Sequence, residues 1–263
     1  MNEFRVSGRI AGLAAVGIMS LAACSEQSGT AVSIPSTTSV EVSGTAVSES
    51  SDPAPPASAP AAYTETSLRV TGSTDRVDYD VVIPQIAGGN PAVTAEFNES
   101  MRTALQDQID GYGTDAFTLH SQENSVAHIG ERVVSGLLVT SWNANPPGAH
   151  PTPIVATVVI NADDASPITL SDLFPDLPAG LRRLSEQSAL LLPGTVAGPE
   201  YERTGIEPVE KNFANWLATP AGMEIHFDDY QVGPHAIGLV TVTVPWDALA
   251  DVINPALADV VSS

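Results

Sequence analysis

The chain offers few side chains that could bind a metal ion or act as a nucleophile: one cysteine and five histidines, among many carboxylates. The stretch His226–Asp229 reads His-Phe-Asp-Asp, and an imidazole with two carboxylates could bind one cation. On a strand, however, His226 and Asp228 share a face while Asp229 points away. A strand that ends in a solvated acidic turn is the simpler interpretation, and we predict no metal site.

Three other side chains are candidates for ligand contact. His150 and His235 each lie beside Pro and Gly, in predicted loops, and loops on a rigid scaffold often carry binding residues. A turn role with a local hydrogen bond is the alternative for each histidine. Trp142 ends a predicted strand, where an exposed ring would suit contact with a sugar or a protein. Partial burial against the sheet is the alternative for this tryptophan.

No sequence motif assigns catalysis. The chain contains no Gly-x-Ser-x-Gly, His-Glu-x-x-His, phosphate-binding glycine loop or EF-hand, so we predict no catalytic residue and no cofactor. A serine triad need not show itself in sequence, because its members come from distant positions. A binding protein is therefore the expectation, and a surface serine hydrolase, esterase or cell-wall-modifying enzyme is the alternative.

The single cysteine, Cys24, ends the sequence Leu-Ala-Ala-Cys. It follows Arg5, Arg9 and the apolar run Ile10–Met19, which together have the parts of a signal peptide. This ending resembles a bacterial lipobox, and an ordinary secretory signal is the alternative. We predict a lipoprotein whose signal peptide, residues 1–23, is removed and whose Cys24 carries palmitate-type acyl chains.

The predicted acylation places the protein on the extracytoplasmic face of the cell membrane. Several acyl chains, each methylene contributing about 0.8 kcal/mol, make such an anchor effectively permanent. Once Cys24 is acylated no cysteine is left, so the domain contains neither a disulfide nor a thiolate metal site.

The segment after Cys24 predicts a disordered tether, residues 24–66. It is rich in Ser, Thr, Ala and Pro, contains no Lys or Arg, and repeats Ser28–Ser33 at Ser43–Ser48. Such a composition buries too little apolar surface to offset its ordering entropy. The folded domain is therefore predicted to span residues 67–263.

The charge excludes one large class of partner. Without residues 1–23 the chain has 8 Lys and Arg against 30 Asp and Glu, a net charge of −22, and Lys211 is its only lysine. Nucleic-acid binding needs clustered cations and is excluded on this ground. The field favours cationic partners, and solubility alone is the other explanation.

The apolar patterns predict mixed elements that position these residues. One apolar stripe predicts a helix from Pro91 to Gly111. Further helices are predicted over 181–192, 209–217 and 246–253, and strands over 77–83, 117–120, 126–129, 133–142, 154–160, 223–227 and 239–244. The order lacks regular β-α-β spacing and predicts an α+β fold with a largely antiparallel sheet.

About 180 residues resemble a known extracytoplasmic domain. The likeness depends on the stretches 79–86, 148–161, 168–174, 213–217, 222–227 and 230–238. They are similar to the domain shared by the lysozyme-sensing anti-sigma factor RsiV and the polysaccharide deacetylase PdaC, to which mycobacterial secreted antigens are also related. The resemblance implies an α+β domain that binds cell-wall-related partners outside the membrane, and it does not imply catalysis.

These observations predict a membrane-anchored, non-catalytic binding or accessory protein at the cell wall. The expected partners are a basic protein, such as a lysozyme-like muramidase, or wall polysaccharide. The acidic surface favours the basic protein and is indifferent to neutral glycan.

Overall fold

The computed structural model describes residues 62–111 and 115–263. The predicted signal peptide, Cys24 and the tether as far as residue 61 lie outside the described residues. The first strand begins at Thr64, three residues before the predicted start of the domain. Residues 64–66 therefore belong to a strand.

The described residues form two sheets, and the larger one has six strands in the order in which they occur along the chain. Its strands are β1 (Thr64–Ser73), β2 (Val77–Ala87), β3 (Phe117–Ile129), β4 (Val133–Ala144), β5 (Thr152–Asn161) and β6 (Ser166–Pro167). All neighbours are antiparallel except β2 and β3, which pair in parallel over a short stretch. The crossover between these two strands contains the helix α1 (Pro91–Gly111).

The smaller sheet contains three antiparallel strands, β7 (Trp216–Thr219), β8 (Gly222–Phe227) and β9 (Val240–Val244). Three further helices follow the large sheet: α2 (Leu170–Leu173), α3 (Leu177–Leu191) and α4 (Pro255–Val261). Five short 3-10 turns lie at Leu192–Gly194, Arg203–Ile206, Glu210–Phe213, His235–Ile237 and Trp246–Leu249. The α+β class with a largely antiparallel sheet is confirmed.

Helix α1 covers one face of the large sheet. Its predicted stripe, Val93, Phe97, Met101, Leu105 and Ile109, is buried throughout, because spacing of four keeps these side chains on one side of the helix. The helix approaches β4 so closely that a Cβ at Gly136 would lie 2.3 Å from the Met101 Cε atom. A Cβ there would also lie 2.6 Å from the Phe97 Cζ atom, so a larger residue at Gly136 would force these two buried side chains of α1 to move.

The opposite face of the large sheet meets strand β7. Leu217 packs there against Leu137, Val139 and Val155. The Ser135 hydroxyl donates to the carbonyl of Ala218 and accepts from its N–H, and the Thr157 hydroxyl accepts from the N–H of Trp216. Side-chain hydroxyls of the large sheet thus bond the outer backbone groups of Trp216 and Ala218, so the β7 edge of the small sheet is not open to further pairing there.

Several predicted elements differ from those observed. Residues 209–217, predicted as a helix, form a 3-10 turn followed by β7, because Trp216 and Leu217 face opposite sides of a paired strand. The predicted strands 117–120 and 126–129 form one bulged strand, β3. The strand predicted to break at Pro84 continues to Ala87. The predicted last helix is a 3-10 turn, and α4 follows it.

In the described part of the chain, no helix is both long and apolar enough to cross a membrane.

Candidate functional site

Two of the predicted contact residues lie together although 85 positions separate them in the sequence. The His150 and His235 rings stack with centroids 3.8 Å apart and an angle of 15° between their planes. The Tyr230 ring follows on the His235 side at 5.8 Å and is 57% exposed. Three flat side chains from two loops therefore form one aromatic stack at the surface.

A carboxylate holds the stack from behind. The Asp229 Oδ2 atom lies 2.8 Å from the His235 Nδ1 atom, and the Asp229 side chain is only 3% exposed. Because a carboxylate only accepts, the proton of this contact lies on Nδ1, and Nε2 of the neutral ring remains an acceptor. Asp229 Oδ1 is buried and makes no hydrogen bond to the described residues, so this carboxylate retains capacity for a donor.

The stack borders a groove of about 590 Å³, which we call the histidine groove. One wall comes from the bulge of β3, the last part of β4 and the beginning of β5, and the other from the loop that carries His235. Its lining residues are Ser121, Gln122, Ser141, Pro151, Pro153, His235, Ala236, Gly238 and Leu239. The groove combines apolar, hydroxyl and imidazole surface, which suits recognition of a polar partner.

Gln231 fixes the loop from which Asp229 and Tyr230 project. Its amide donates to the carbonyls of Gly205 (2.7 Å) and Asn212 (2.9 Å), and its Oε1 accepts from the N–H of Asp228. Tyr230 adopts a positive φ of 63°, so the backbone turns sharply. The Gln231 side chain thus acts as an internal bridge that determines where the stack lies.

Trp142 does not join this site. It alternates with Ser141 along β4, so its ring points to the face covered by α1. There it is half-buried and packs near Phe117, with ring centroids 5.8 Å apart. The alternative of partial burial against the sheet describes its position.

The three polar side chains of the stretch His226–Asp229 contact different partners: His226 contacts Glu224, Asp228 contacts Asn215, and Asp229 contacts His235. His226 Nε2 lies 2.7 Å from Glu224 Oε1, and this hydrogen bond lowers the pKa of Glu224. Burial raises the pKa of Asp228, the negative charge of Asp229 adds to this, and a hydrogen bond from Asn215 opposes it. No group of three or more His, Cys, Asp or Glu in residues 62–111 and 115–263 is arranged to hold a metal ion.

Sequence reasoning did not identify Asp229 and Tyr230 as parts of the site. The sequence presents Asp229 as a possible metal ligand and Tyr230 as part of the stretch 230–238 that resembles the known domain. The tertiary contact with His150, which comes from another loop, is what assigns them to one cluster. Cys24 lies outside the described residues, so its acylation stays a prediction.

One family model matches the part of the chain that contains most of this site. Residues 171–247, which include Asp229, Tyr230 and His235 but not His150, match the model of a family described as a protein of unknown function, DUF3298. No curated protein matches the chain.

Several solved structures are similar to it, and two of them are DUF3298 family proteins. One is a crystal structure of a DUF3298 family member from Bacteroides fragilis, with 13% identity, a TM-score of 0.49, and coverage of 76% of this chain and 97% of that one. The other is a DUF3298 family protein from Pseudomonas aeruginosa, with 14% identity, a TM-score of 0.48, and coverage of 78% and 97%.

Proposed function

We propose that this protein is an extracytoplasmic lipoprotein, acylated at Cys24, whose folded domain binds a cationic protein partner at the cell wall. The observation that carries the proposal is the acid excess of residues 62–263, where 26 Asp and Glu face 8 Lys and Arg, a net charge of −18. Four of these eight cations already form ion pairs, at Arg69, Arg102, Arg132 and Arg183. The remaining field attracts a basic surface.

The histidine groove is the proposed contact. Its exposed aromatic stack offers flat area at low conformational cost, and the carboxylate of Asp229 lies directly behind it. A lysine or arginine that packs on the exposed Tyr230 ring would meet an aromatic face within the negative field of the buried Asp229 carboxylate, which is the arrangement of a cation–π contact. This proposal is consistent with the resemblance to RsiV- and PdaC-type domains.

The first test is a titration of lysozyme against a soluble form that lacks residues 1–23 and carries Cys24→Ser. We expect saturable binding at low salt that weakens steeply at moderate salt, since exposed charges are screened within about 10 Å at 0.1 M. The double variant H150A/H235A should weaken binding about tenfold, equivalent to about 1.4 kcal/mol. H128A removes a histidine at the other end of β3, where it contacts the carbonyl of Ser263, and should leave the affinity unchanged.

Two outcomes would contradict the cationic partner. Absence of lysozyme binding at low salt removes the proposal for this class of protein. Salt-insensitive binding to purified cell-wall glycan indicates a polysaccharide partner instead, which would use the aromatic stack without the charge.

The anchor has its own test. Wild-type protein expressed in a bacterium with lipoprotein processing should partition with membranes and carry the mass of acyl chains. Cys24→Ala should appear in the soluble fraction without that mass. A Cys24→Ala protein that stays membrane-bound, with unchanged mass, would disprove the lipid anchor.

The Asp229–His235 pair supports a second candidate, a surface serine hydrolase. A buried carboxylate bonded to Nδ1 of an imidazole is two-thirds of a nucleophilic triad, and Ser121 and Ser141 line the same groove. The Ser121 hydroxyl already accepts from the N–H of Val82 at 2.6 Å. Stoichiometric labelling of one groove serine by a fluorophosphonate probe, abolished by His235→Ala, would establish the hydrolase and displace the binding-only function.

A further inference from the structure

The outer edge of β5 is open along most of its length. β6 pairs with it only at Ile160 and Asn161, and no other described strand lies beside it in the sheet. Two contacts determine which backbone groups face outward. The N–H of Ala162 points toward β4 and donates to the carbonyl of Arg132, which directly precedes that strand. The carbonyl of Val159 points the other way and accepts from the N–H of Ile168 on the outer side.

Backbone direction alternates along a strand, and the pairing of β5 with β4 continues without a bulge. Thr157, and Val155 before it, therefore direct their N–H and C=O groups to the outer edge. Ala156 and Val158 direct theirs to β4. An unpaired row of this kind is a template on which another extended chain can add as a strand.

Acidic side chains border this edge on both sides. A depression of about 380 Å³ between the edge and α1 is lined by Glu96, Glu99 and Asp107 together with Thr157. A second one, of about 270 Å³, reaches Glu210 and Trp216 and again includes Thr157. Of these carboxylates, Glu99 forms an ion pair with the exposed Arg102, at 3.4 Å. The open edge thus forms the floor of a cleft with acidic walls.

We propose that this edge, the β5 cleft, binds an extended lysine- or arginine-rich segment of a partner protein by strand addition. The added strand would pair with the backbone of Thr157 and Val155. Every second side chain would then point toward α1, where Glu96, Glu99 and Asp107 lie. The segment that precedes the domain does not match this chemistry, because residues 25–68 contain no Lys or Arg.

This surface is separate from the histidine groove and adds a second recognition element to the domain. It does not depend on the proposed lysozyme-like partner. A folded cationic protein without an extended segment would use the groove alone, and an unfolded basic segment would use the cleft alone.

The test uses the soluble Cys24→Ser chain and a synthetic peptide of alternating lysine and threonine. Hydrogen exchange of the free protein should be fast at the amides of Val155 and Thr157 and slow at Ala156 and Val158, an internal control within one strand. Addition of the peptide should protect Val155 and Thr157. A peptide of equal charge with proline at every third position should bind more weakly, because it cannot pair along the edge.

Matched charge variants complete the test. E96Q/E99Q/D107N should weaken peptide binding at least about tenfold. E123Q/E200Q/E202Q removes three exposed acids elsewhere and should change it less than about twofold. H150A/H235A should have no effect, which separates this proposal from the groove, and thermal melts verify that each variant is folded.

Three results would overturn the proposal. The first is binding that leaves the exchange of Val155 and Thr157 unchanged. The second is an equal loss in both charge variants, which indicates diffuse attraction only. The third is loss of peptide binding in H150A/H235A, which places the peptide in the histidine groove.

Discussion

At the scale of single residues, the same side-chain type has different roles according to its neighbour. His235 bonds to a buried aspartate and stacks on His150, whereas His226 bonds to Glu224 on the same strand. His128 contacts the carbonyl of Ser263 at the C-terminus. Only the first of these arrangements presents an imidazole to a groove, so it is the histidine to which we assign ligand contact.

The Glu224–His226 pair gives a pH-dependent prediction. The pKa of Glu224 is lowered in the folded state, mainly by the hydrogen bond to His226. Its stabilising contribution is therefore complete above the pKa of the unfolded chain and is lost as the pH falls through the folded pKa. Glu224→Gln should lower the stability at pH 7 by about 1 kcal/mol, roughly 2–4 °C in Tm.

The measurement is a series of thermal melts from neutral to acid pH. The difference between Glu224→Gln and wild type should shrink as the pH falls through the lowered pKa of Glu224, because the protonated carboxyl, like the amide of Gln, carries no charge. The exposed Glu131→Gln is the control and should show no such pattern. A difference that stays constant with pH would disprove the contribution from ionisation.

At the scale of elements, loop anchoring decides the geometry of the candidate site. The loop after β8 is held by the hydrogen bonds of Gln231 to Gly205, Asn212 and Asp228. A Cβ at Gly205 would lie 1.9 Å from the Gln231 carbonyl oxygen, so the two segments touch through their backbones. The stack depends on this contact although neither residue belongs to it.

Gln231→Ala should therefore act on position as well as on stability. Loss of its hydrogen bonds should lower the free energy of unfolding by about 1–3 kcal/mol. The reason is that the carbonyls of Gly205 and Asn212 and the N–H of Asp228 would lose their partner without becoming fully accessible to water. Lysozyme binding should weaken as in H150A/H235A, whereas His150→Ala, which removes an exposed ring of the stack, should weaken binding with little change in stability. Equal binding by Gln231→Ala and wild type would show that the loop keeps its place without the bridge.

The junction between the two sheets gives a second prediction at this scale. Ser135 is fully buried, and its hydroxyl makes two hydrogen bonds to the backbone of Ala218 in β7. Ser188 is equally buried, but its hydroxyl has no partner among the described residues. The same substitution at both positions therefore removes either two hydrogen bonds or none.

Ser135→Ala should lower the free energy of unfolding by about 2–4 kcal/mol, because it leaves a buried N–H and a buried C=O unsatisfied. Ser188→Ala should be close to neutral, because no bonded partner is left behind. Chemical denaturation of both variants measures the difference. Equal effects would mean that the hydroxyl contacts at the sheet junction add nothing to stability.

At the scale of the whole molecule, the acid excess is a property of the folded region and not only of the predicted tether. The folded residues retain −18 of the total formal charge of −21. Such a field favours basic partners, and it also makes the compact state repel itself. Function and stability are therefore coupled through ionic strength.

Raising NaCl from about 20 to 300 mM should increase the Tm at pH 7, since screening reduces repulsion between acids over distances beyond the Debye length. The increase should disappear near pH 4, close to the isoelectric point of about 4.2. Thermal melts on a grid of salt and pH measure both effects. A Tm that falls with salt at pH 7 would mean that exposed ion pairs such as Arg132–Asp163 outweigh the repulsion.

Local patterns by themselves determined the fold class, the stripe and both ends of α1, and the position of most strands. Apolar residues at every fourth position of a helix, or at every second position of a strand, show which face of that element is buried. This pattern is the same whichever element packs against that face. Short apolar runs such as 213–217 were misassigned, because a strand and a helix bury similar residues over so few positions. The choice there depended on the strand β8, with which β7 pairs.

Only the tertiary structure decided which chemical groups meet. Loops 85 residues apart bring His150 onto His235, the pleat sends Trp142 to the opposite face from Ser141, and β5 keeps an open edge beside the acids of α1. None of these relations leaves a local signal, because each depends on the packing of elements far apart in the chain. The sequence determined the acidity of the domain and supplied the candidate residues, and the packing of two sheets determined their neighbours.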